Sequence, residues 1–332
     1  MTITMDTQTW AEEQFGQCDL DDKRRTRRLV HLANQVLCHP SGSLPEQTAE
    51  MADLKAAYRL FSCEDVTFEA IAGPPWEQTR RRPPGTYLVL GDTTELDFGV
   101  QREIAGMAQT GNGGGWGFLL HSALVVTAEG EEVIGLAGQK IRYRKRLAPA
   151  PIAMWVVHAA EVDAPKGVEP IEWVLLTSLP VESFEDAWVV LGYYEKRWLI
   201  EEWHKALKTG CRVEHRQLKT KERLERITGL LRVVSVRLLQ LKSAARTTPN
   251  RPASEVVPKR WIAMLQAARR KTRRKTTPTT SMMIGEFYRE LAKLGGFLGR
   301  KCDGEPGWIT IWRGWQKLDL LVRGAELAET IE

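Results

Sequence analysis

No stretch of about 18 consecutive apolar residues occurs in this 332-residue sequence, so no segment is expected to span a membrane. Cysteine is sparse. The five, at positions 18, 38, 63, 211 and 302, are odd in number and form no C-x-x-C pair. That pattern argues against a disulfide framework and a zinc site, and free thiols in a reducing cytosol are expected. The opening MTITMDTQTWAEEQFG has no basic segment followed by an apolar one, so a signal peptide is not expected. Internal repeats are missing too. What is present suffices for a folded protein: 43% hydrophobic and 27% charged residues exclude wholesale disorder. The length suits about two or three domains. Twelve tryptophans supply large anchors, usable in cores or at interfaces.

Charge is unevenly distributed. Lys205 to Lys275 contains 21 Lys and Arg against 4 Asp and Glu, a net +17 in a chain whose total is +5, so the rest carries −12. Such a block attracts polyanions. Apolar residues interleave the charges, which predicts a folded basic face suited to nucleic acid. Its densest part, Arg269 to Lys275, reads equally well as a solvated linker. A second cluster, Lys23, Arg24, Arg25, Arg27 and Arg28, opens a predicted helix after Asp21 and Asp22. Cations in a first helical turn oppose the helix dipole. Phosphates docking there would offset that repulsion; the competing reading is a solvent-facing turn with snorkelling stems.

Residues 8–72 read as all-helical, with Met51, Leu54, Tyr58 and Phe61 on one stripe and Asp65 or Thr67 capping a following helix. Gly73-Pro74-Pro75 and Pro83-Pro84-Gly85 predict a boundary near 73–85. Strands are predicted at Tyr87–Leu90, Leu119–Val126, Val133–Leu136, Trp155–Val162 and Trp173–Leu179. A helical period then runs from Phe184 to a C-terminal Gly210, followed by helices over Leu224–Ala245, 259–271 and 283–295. The tail, Trp308 to Ala325, places Ile311, Trp312, Trp315, Leu318, Leu321 and Val322 on one stripe. With no evident partner in the basic helices, that stripe predicts self-association; burial within its own chain is the alternative.

Two carboxylates stand out. Asp92 follows the strand at 87–90 and is expected just past its carboxyl end, where open α/β sheets place their sites. Glu201 is mid-helix on the basic run leading to Lys208. Carboxylates from distant elements can share magnesium, and two such metals support phosphodiester cleavage. A turn aspartate and a glutamate paired with Lys205 are the structural alternatives. Residues 194–210, Tyr-Glu-Lys-Arg-Trp-Leu-Ile-Glu-Glu-Trp-His-Lys-Ala-Leu-Lys-Thr-Gly, carry Y-x2-R-x3-E-x6-K at Tyr194, Arg197, Glu201 and Lys208. This resembles the signature of cut-and-paste bacterial transposases of insertion-sequence family four, the transposon-five-like branch. Gly91-Asp92-Thr93-Thr94 resembles that family's first catalytic aspartate motif, and the similarity extends over nearly the whole chain.

The resemblance implies an α/β, RNase H-like mixed sheet flanked by an all-α N-terminal DNA-binding domain over 1–75 and a helical dimerisation region over 246–332. The catalytic core would span 86–245. It further implies a D-D-E triad on Mg2+ or Mn2+, with Asp92 and Glu201 as catalytic ligands. Tyr194, Arg197 and Lys208 would contact DNA, together with Lys205 and the early cations Lys23, Arg24, Arg25, Arg27 and Arg28. The implied partners are double-stranded transposon ends and a second copy of the chain. The implied location is a bacterial, nucleoid-associated cytoplasm.

One part of that pattern is missing. No D-R-x-A-D string occurs, and between Gly138 and Pro170 the acidic residues are Glu161, Asp163 and Glu169. Asp163 lies in Asp-Ala-Pro-Lys-Gly, a predicted turn between strands. An internal deletion near 142–150 is therefore expected. It would remove the second aspartate and leave a truncated core with an exposed parallel edge. Two functions follow: a transposase by ancestry with crippled chemistry, or a non-catalytic DNA-binding, dimerising remnant that could inhibit an intact transposase.

Overall fold

The computed structural model describes residues 7–48, 50–100, 104, 106–110, 114–130, 132–138, 153–272 and 282–331. The expected deletion junction, the Gly111-Asn112-Gly113 segment, where the sequence predicts a flexible turn, and the basic residues 273–275 lie outside this set. The N-terminal part is helical, as its periodicity requires: α1 Thr7–Phe15, α2 Lys23–Cys38, α3 Leu44–Gln47, α4 Met51–Ser62 and α5 Phe68–Arg80. Asp22 caps α2 by accepting from the Arg24 amide, and Thr67 caps α5 by accepting from that of Ala70. The interruption expected at Gly73-Pro74-Pro75 does not occur there. α5 continues through both prolines to Arg80, and Thr79 Oγ1 donates to the Pro75 carbonyl oxygen at 3.0 Å. Proline here removes two ladder bonds, but α5 is held by packing between the central helix and the sheet.

The main sheet comprises β1 Tyr87–Asp97, β2 Ala108–Thr110, β3 Gly115–Thr127 and β4 Val133–Leu136. β3 is central and pairs antiparallel with β1 over its length, from Tyr87↔Thr127 to Asp97↔Gly117. β2 and β4 share its other edge. A mixed sheet with parallel strands was expected; every strand pair among the described residues is antiparallel. Parallel neighbours need a crossover of a dozen or more residues, whereas β3 ends at Thr127 and β4 begins at Val133.

A second, two-stranded sheet, β5 Trp155–Ala160 and β6 Glu172–Thr177, stands apart from the first. Its Val157 and Leu175 pack on Val190 of α6, Phe184–Glu195. The opposite face leaves Val156, Val174 and Leu176 about two-thirds exposed. The bare surface in this region is thus a sheet face and not the parallel edge expected. α6 does not run on as one helix to Gly210. At Lys196–Ile200 the ladder switches to i→i−3 bonds, such as Arg197 N–H to the Tyr194 carbonyl at 3.0 Å. α7, Trp198–Lys205, follows, then a π-helical turn, Ala206–Gly210. Gly210 is not a left-handed cap. A Cβ there would meet the Trp312 ring at 2.3 Å, so the glycine admits that indole.

α8, Lys221–Thr247, is the central helix and is buried on almost every side. It joins the N-terminal helices, the main sheet and α7 in one continuous core that includes Phe15, Phe61, Leu124, Trp203, Leu230 and Trp312. A second core lies between the end of α8, α9 Lys259–Thr272, α10 Ile284–Leu294 and α11 Trp308–Ile331. The tail stripe is spent here. Ile311, Trp312, Leu318 and Val322 are buried, and Trp315 packs on Trp261 with ring centroids 4.8 Å apart. The alternative of burial within the chain is therefore the one realised for these residues. Helices α10 and α11 touch backbone to backbone, because a Cβ on Gly314 would lie 1.9 Å from the Leu291 carbonyl oxygen. Among the described residues no helix is long and apolar enough to cross a membrane.

Candidate functional site

β1 runs past Asp92 to Asp97, because Thr93–Asp97 continue the ladder with His121–Gly117. Asp92 is therefore a mid-strand residue opposite Ser122, not a residue beyond a strand end as expected. Its side chain is partly exposed, and Oδ2 approaches His204 Nδ1 of α7 to 3.6 Å. One turn earlier on α7, Glu201 Oε1 lies 3.0 Å from Arg197 Nη2. Since α7 packs against β1, the two predicted carboxylates come from facing elements. Each approaches a nitrogenous group of α7 or its N-terminus. The expected alternative for Glu201, a pair with Lys205, is not formed: Lys205 Nζ lies over the Trp198 ring at 5.3 Å. The neighbouring Glu202 takes the structural role, pairing with the buried Lys242, whose Nζ sits 4.6 Å above Trp308.

His204 was not singled out by spacing alone, although it stands three residues after Glu201. Burial pushes its pKa down to about 4. Lys208 and Arg232 add to that, while Asp92 opposes it. The imidazole is neutral at pH 7 and Nε2 has no hydrogen-bond partner. Beneath Asp92's strand partner lies Arg232 of α8, which donates to Ser122 Oγ at 3.2 Å. Its guanidinium faces the rings of Phe68, Trp76 and Trp203 at 5.4, 5.7 and 5.8 Å. Aromatic faces stabilise a desolvated cation in this way. Burial pushes its pKa down to about 10, so it remains charged. Nothing in the sequence pattern distinguishes Arg232 from the other arginines of α8.

The other signature residues lie on α6, at the break after it and on the π turn. Tyr194 meets Trp173 edge-on with centroids 5.1 Å apart, and Arg197 lies 5.8 Å above the Tyr194 ring. Lys208 Nζ, on the π turn, is 3.2 Å from Glu214 Oε1. Asp163 is exposed in the connection between β5 and β6, the turn position expected from its sequence. No group of three or more His, Cys, Asp or Glu among the described residues could hold a metal ion. Asp92 and Glu201 belong to no such group, so a metal shared by them would depend on water and substrate oxygens for its remaining ligands.

Of the early cations, Arg25 pairs with Asp65 at 2.8 Å and Arg28 with Asp53 at 2.5 Å. The hydrogen bond from His31, with those from Arg28 and Gln35, holds Asp53 down to about 2. Lys23, Arg24 and Arg27 stay exposed. The basic block is also partly internal: Arg216, Arg226, Arg232, Arg237 and Lys242 are buried. Its charge count therefore overstates what a polyanion can touch.

Comparison with known families places matches at both ends of the chain. Residues 7–66 match the Transposase DNA-binding family, the segment of α1 to α4. Residues 233–332 match the Transposase Tn5 dimerisation domain, from the second half of α8 to α11. Asp92 and Glu201 lie between them. The two ends of the chain are thus similar to a DNA-binding region and a dimerisation region of transposases.

Proposed function

We propose that the chain binds double-stranded DNA ends as a dimer and descends from cut-and-paste transposases of the D-D-E type. Strand cleavage is lost or severely impaired in it. The observation that carries this reading is the packing of α7 against β1. Asp92 and Glu201 stand on these two elements, and they belong to no group of three or more His, Cys, Asp or Glu among the described residues. Two-metal cleavage needs ligands that hold both the attacking and the leaving oxygen. Lys23, Arg24 and Arg27 at the start of α2 serve as phosphate contacts, with Lys205 at the end of α7 and Lys208 on the π turn. Arg25 and Arg28 brace α2 against Asp65 and Asp53. The divisions 1–75, 86–245 and 246–332 describe DNA binding, residual core and dimerisation, and a bacterial nucleoid is the setting that suits such a protein.

Strand cleavage is tested with candidate end DNA and Mg2+ or Mn2+, comparing the unmodified chain with Asp92→Ala and Asp163→Ala. No product above background is expected from any of the three. Cleavage abolished by both substitutions would overturn the reading and make Asp163 the missing ligand. Cleavage lost with Asp92 alone would assign activity to a two-carboxylate site.

Dimerisation falls to the outward face of α11. Leu320 and Leu327 are about two-thirds exposed and Leu321 is partly so, and these positions recur at helical spacing around Gly324. Leu320→Asp with Leu327→Asp is expected to weaken self-association at least tenfold in sedimentation experiments without unfolding the chain. Trp315→Ala, by contrast, would act through the core and lower stability. Dimers unaffected by the double substitution would remove α11 from the interface.

A further inference from the structure

The cation that ends the signature helix is not free to meet a phosphate. Lys208 Nζ lies 3.2 Å from Glu214 Oε1. The same carboxylate oxygen accepts the Asp97 amide hydrogen at 3.2 Å, tying this segment to the end of β1. Lys208 cannot swing away by moving its backbone. The π turn that carries it is closed by the Cys211 amide donating to the Ala206 carbonyl at 2.9 Å, and Trp312 packs directly on Gly210.

Glu214 is brought into place by a strained residue. Arg212 adopts φ +48° and ψ 47°, a left-handed conformation that costs a non-glycine residue free energy. The chain then folds back through a single 3-10 turn, Val213–His215, which sets Glu214 beside Lys208. The carboxylate is one of only 4 acidic residues between Lys205 and Lys275. Both side chains remain partly exposed, at 33% and 25%, so exchange of partners needs no unfolding and little desolvation.

We propose that Glu214 acts as a built-in phosphate surrogate, holding Lys208 until a DNA phosphodiester displaces it. This rests on the nucleic-acid reading above and extends it to how the site discriminates between duplexes. A carboxylate oxygen and a phosphate oxygen compete for one ammonium group. While Glu214 holds it, Lys208 adds nothing to sequence-independent attraction, and its neighbour repels any phosphate that approaches. A duplex already anchored elsewhere supplies the local concentration that completes the exchange. Lys208 thus contributes to the correctly seated complex and little to chance encounters.

The test is a fluorescence-anisotropy titration of a random-sequence duplex with the full chain over a range of salt. Four proteins are compared: unmodified, Glu214→Gln, Lys208→Gln and the double variant. Glutamine keeps an oxygen for the Asp97 amide and removes only the charge. Glu214→Gln is expected to bind roughly three- to tenfold tighter at low salt. The slope of log K against log salt should steepen by about 0.9, one additional phosphate contact. The gain should vanish when Lys208 is also Gln, because coupled residues are non-additive. A gain that persists in the Lys208→Gln background would make it general charge removal, and no gain would leave Glu214 a purely structural link; either overturns the proposal. If Glu214→Gln lowers the unfolding midpoint, Glu214→Asp replaces it. It is one methylene shorter and withdraws the carboxylate from Lys208, with the same expected dependence on Lys208. An unmodified chain with no duplex affinity would overturn the nucleic-acid reading and this inference with it. Intact binding with an unchanged Glu214→Gln would overturn the inference alone.

Discussion

Affinity for duplex DNA is expected to fall by roughly 10²–10³ between about 50 and 200 mM salt. The steepness counts the phosphates neutralised, at about 0.9 in slope for each. The raw sequence suggests more, since the basic block alone has net +17. The fold withdraws much of it. Arg216, Arg226, Arg232, Arg237 and Lys242 are buried. Arg251 pairs with Glu255, Arg260 with Glu329 and Arg269 with Glu286, at 2.6, 2.9 and 2.6 Å. The exposed cations around the two candidate surfaces are Lys23, Arg24 and Arg27 on α2, then Lys205 at the end of α7 and Arg212 and Lys219 beyond it. About four to six phosphate contacts follow, hence a slope near −4 to −5. Replacing Lys23, Arg24 and Arg27 together by Gln should lower its magnitude by roughly two to three. An affinity that hardly changes over this range would show that phosphate contacts do not dominate.

The largest loss of stability is expected from Arg216→Ala, about 3–5 kcal/mol in denaturant unfolding. Arg216 joins the N-terminal helices to the segment after the π turn. Nη1 donates to the Gly42 carbonyl at 2.6 Å and to Gln47 Oε1 at 3.0 Å. Nη2 donates to the carbonyls of Pro40 at 3.0 Å and Cys211 at 2.7 Å. Burial opposes its charge and pushes the pKa down to about 10. Truncation would recover that desolvation cost but take a charged donor from four oxygens, leaving the Pro40 carbonyl only the Gln47 amide at 3.4 Å, and the lost hydrogen bonds outweigh it. Arg216→Lys should recover little, because a point charge cannot reproduce the planar fork that reaches oxygens on both sides. A midpoint within experimental error of the unmodified chain would show that the helices and the site region are not coupled through this residue. If the coupling holds, loss of Arg216 should also weaken DNA binding, since α2 and the π turn would no longer be held in one frame.

Short-range pattern was enough to place most elements. The helical stripes of α2 and α4, the strand at 133–136 and the long apolar repeat of α8 are consequences of local periodicity, which the sequence carries explicitly. The spacing of Tyr194, Arg197, Glu201 and Lys208 marked this stretch of chain, but the break at Lys196–Ile200 and the π turn divide those positions among α6, α7 and the turns beside them. Pattern failed where distant residues intervened. α5 passes through Pro74 and Pro75 because packing on α8 and the sheet outweighs two lost hydrogen bonds. Gly210 serves a tryptophan 102 positions later instead of a helix end. The apolar face of α11 resembled an unpartnered interface until α9 and α10 covered it.

Charge was legible as a sum but not as a surface. The sequence by itself determined a basic, transposase-like chain with Glu201 inside its signature spacing and Asp92 far ahead of it, and tertiary packing of α7 on β1 brought their elements together. Tertiary structure alone decided which cations remain in water, that His204 approaches Asp92, and that Glu214 occupies Lys208. The physical reason is that electrostatic function depends on distance and burial. An arginine in the interior of α8 and one at the start of α2 read alike in sequence, yet desolvation and aromatic neighbours bury the first and leave the second in water.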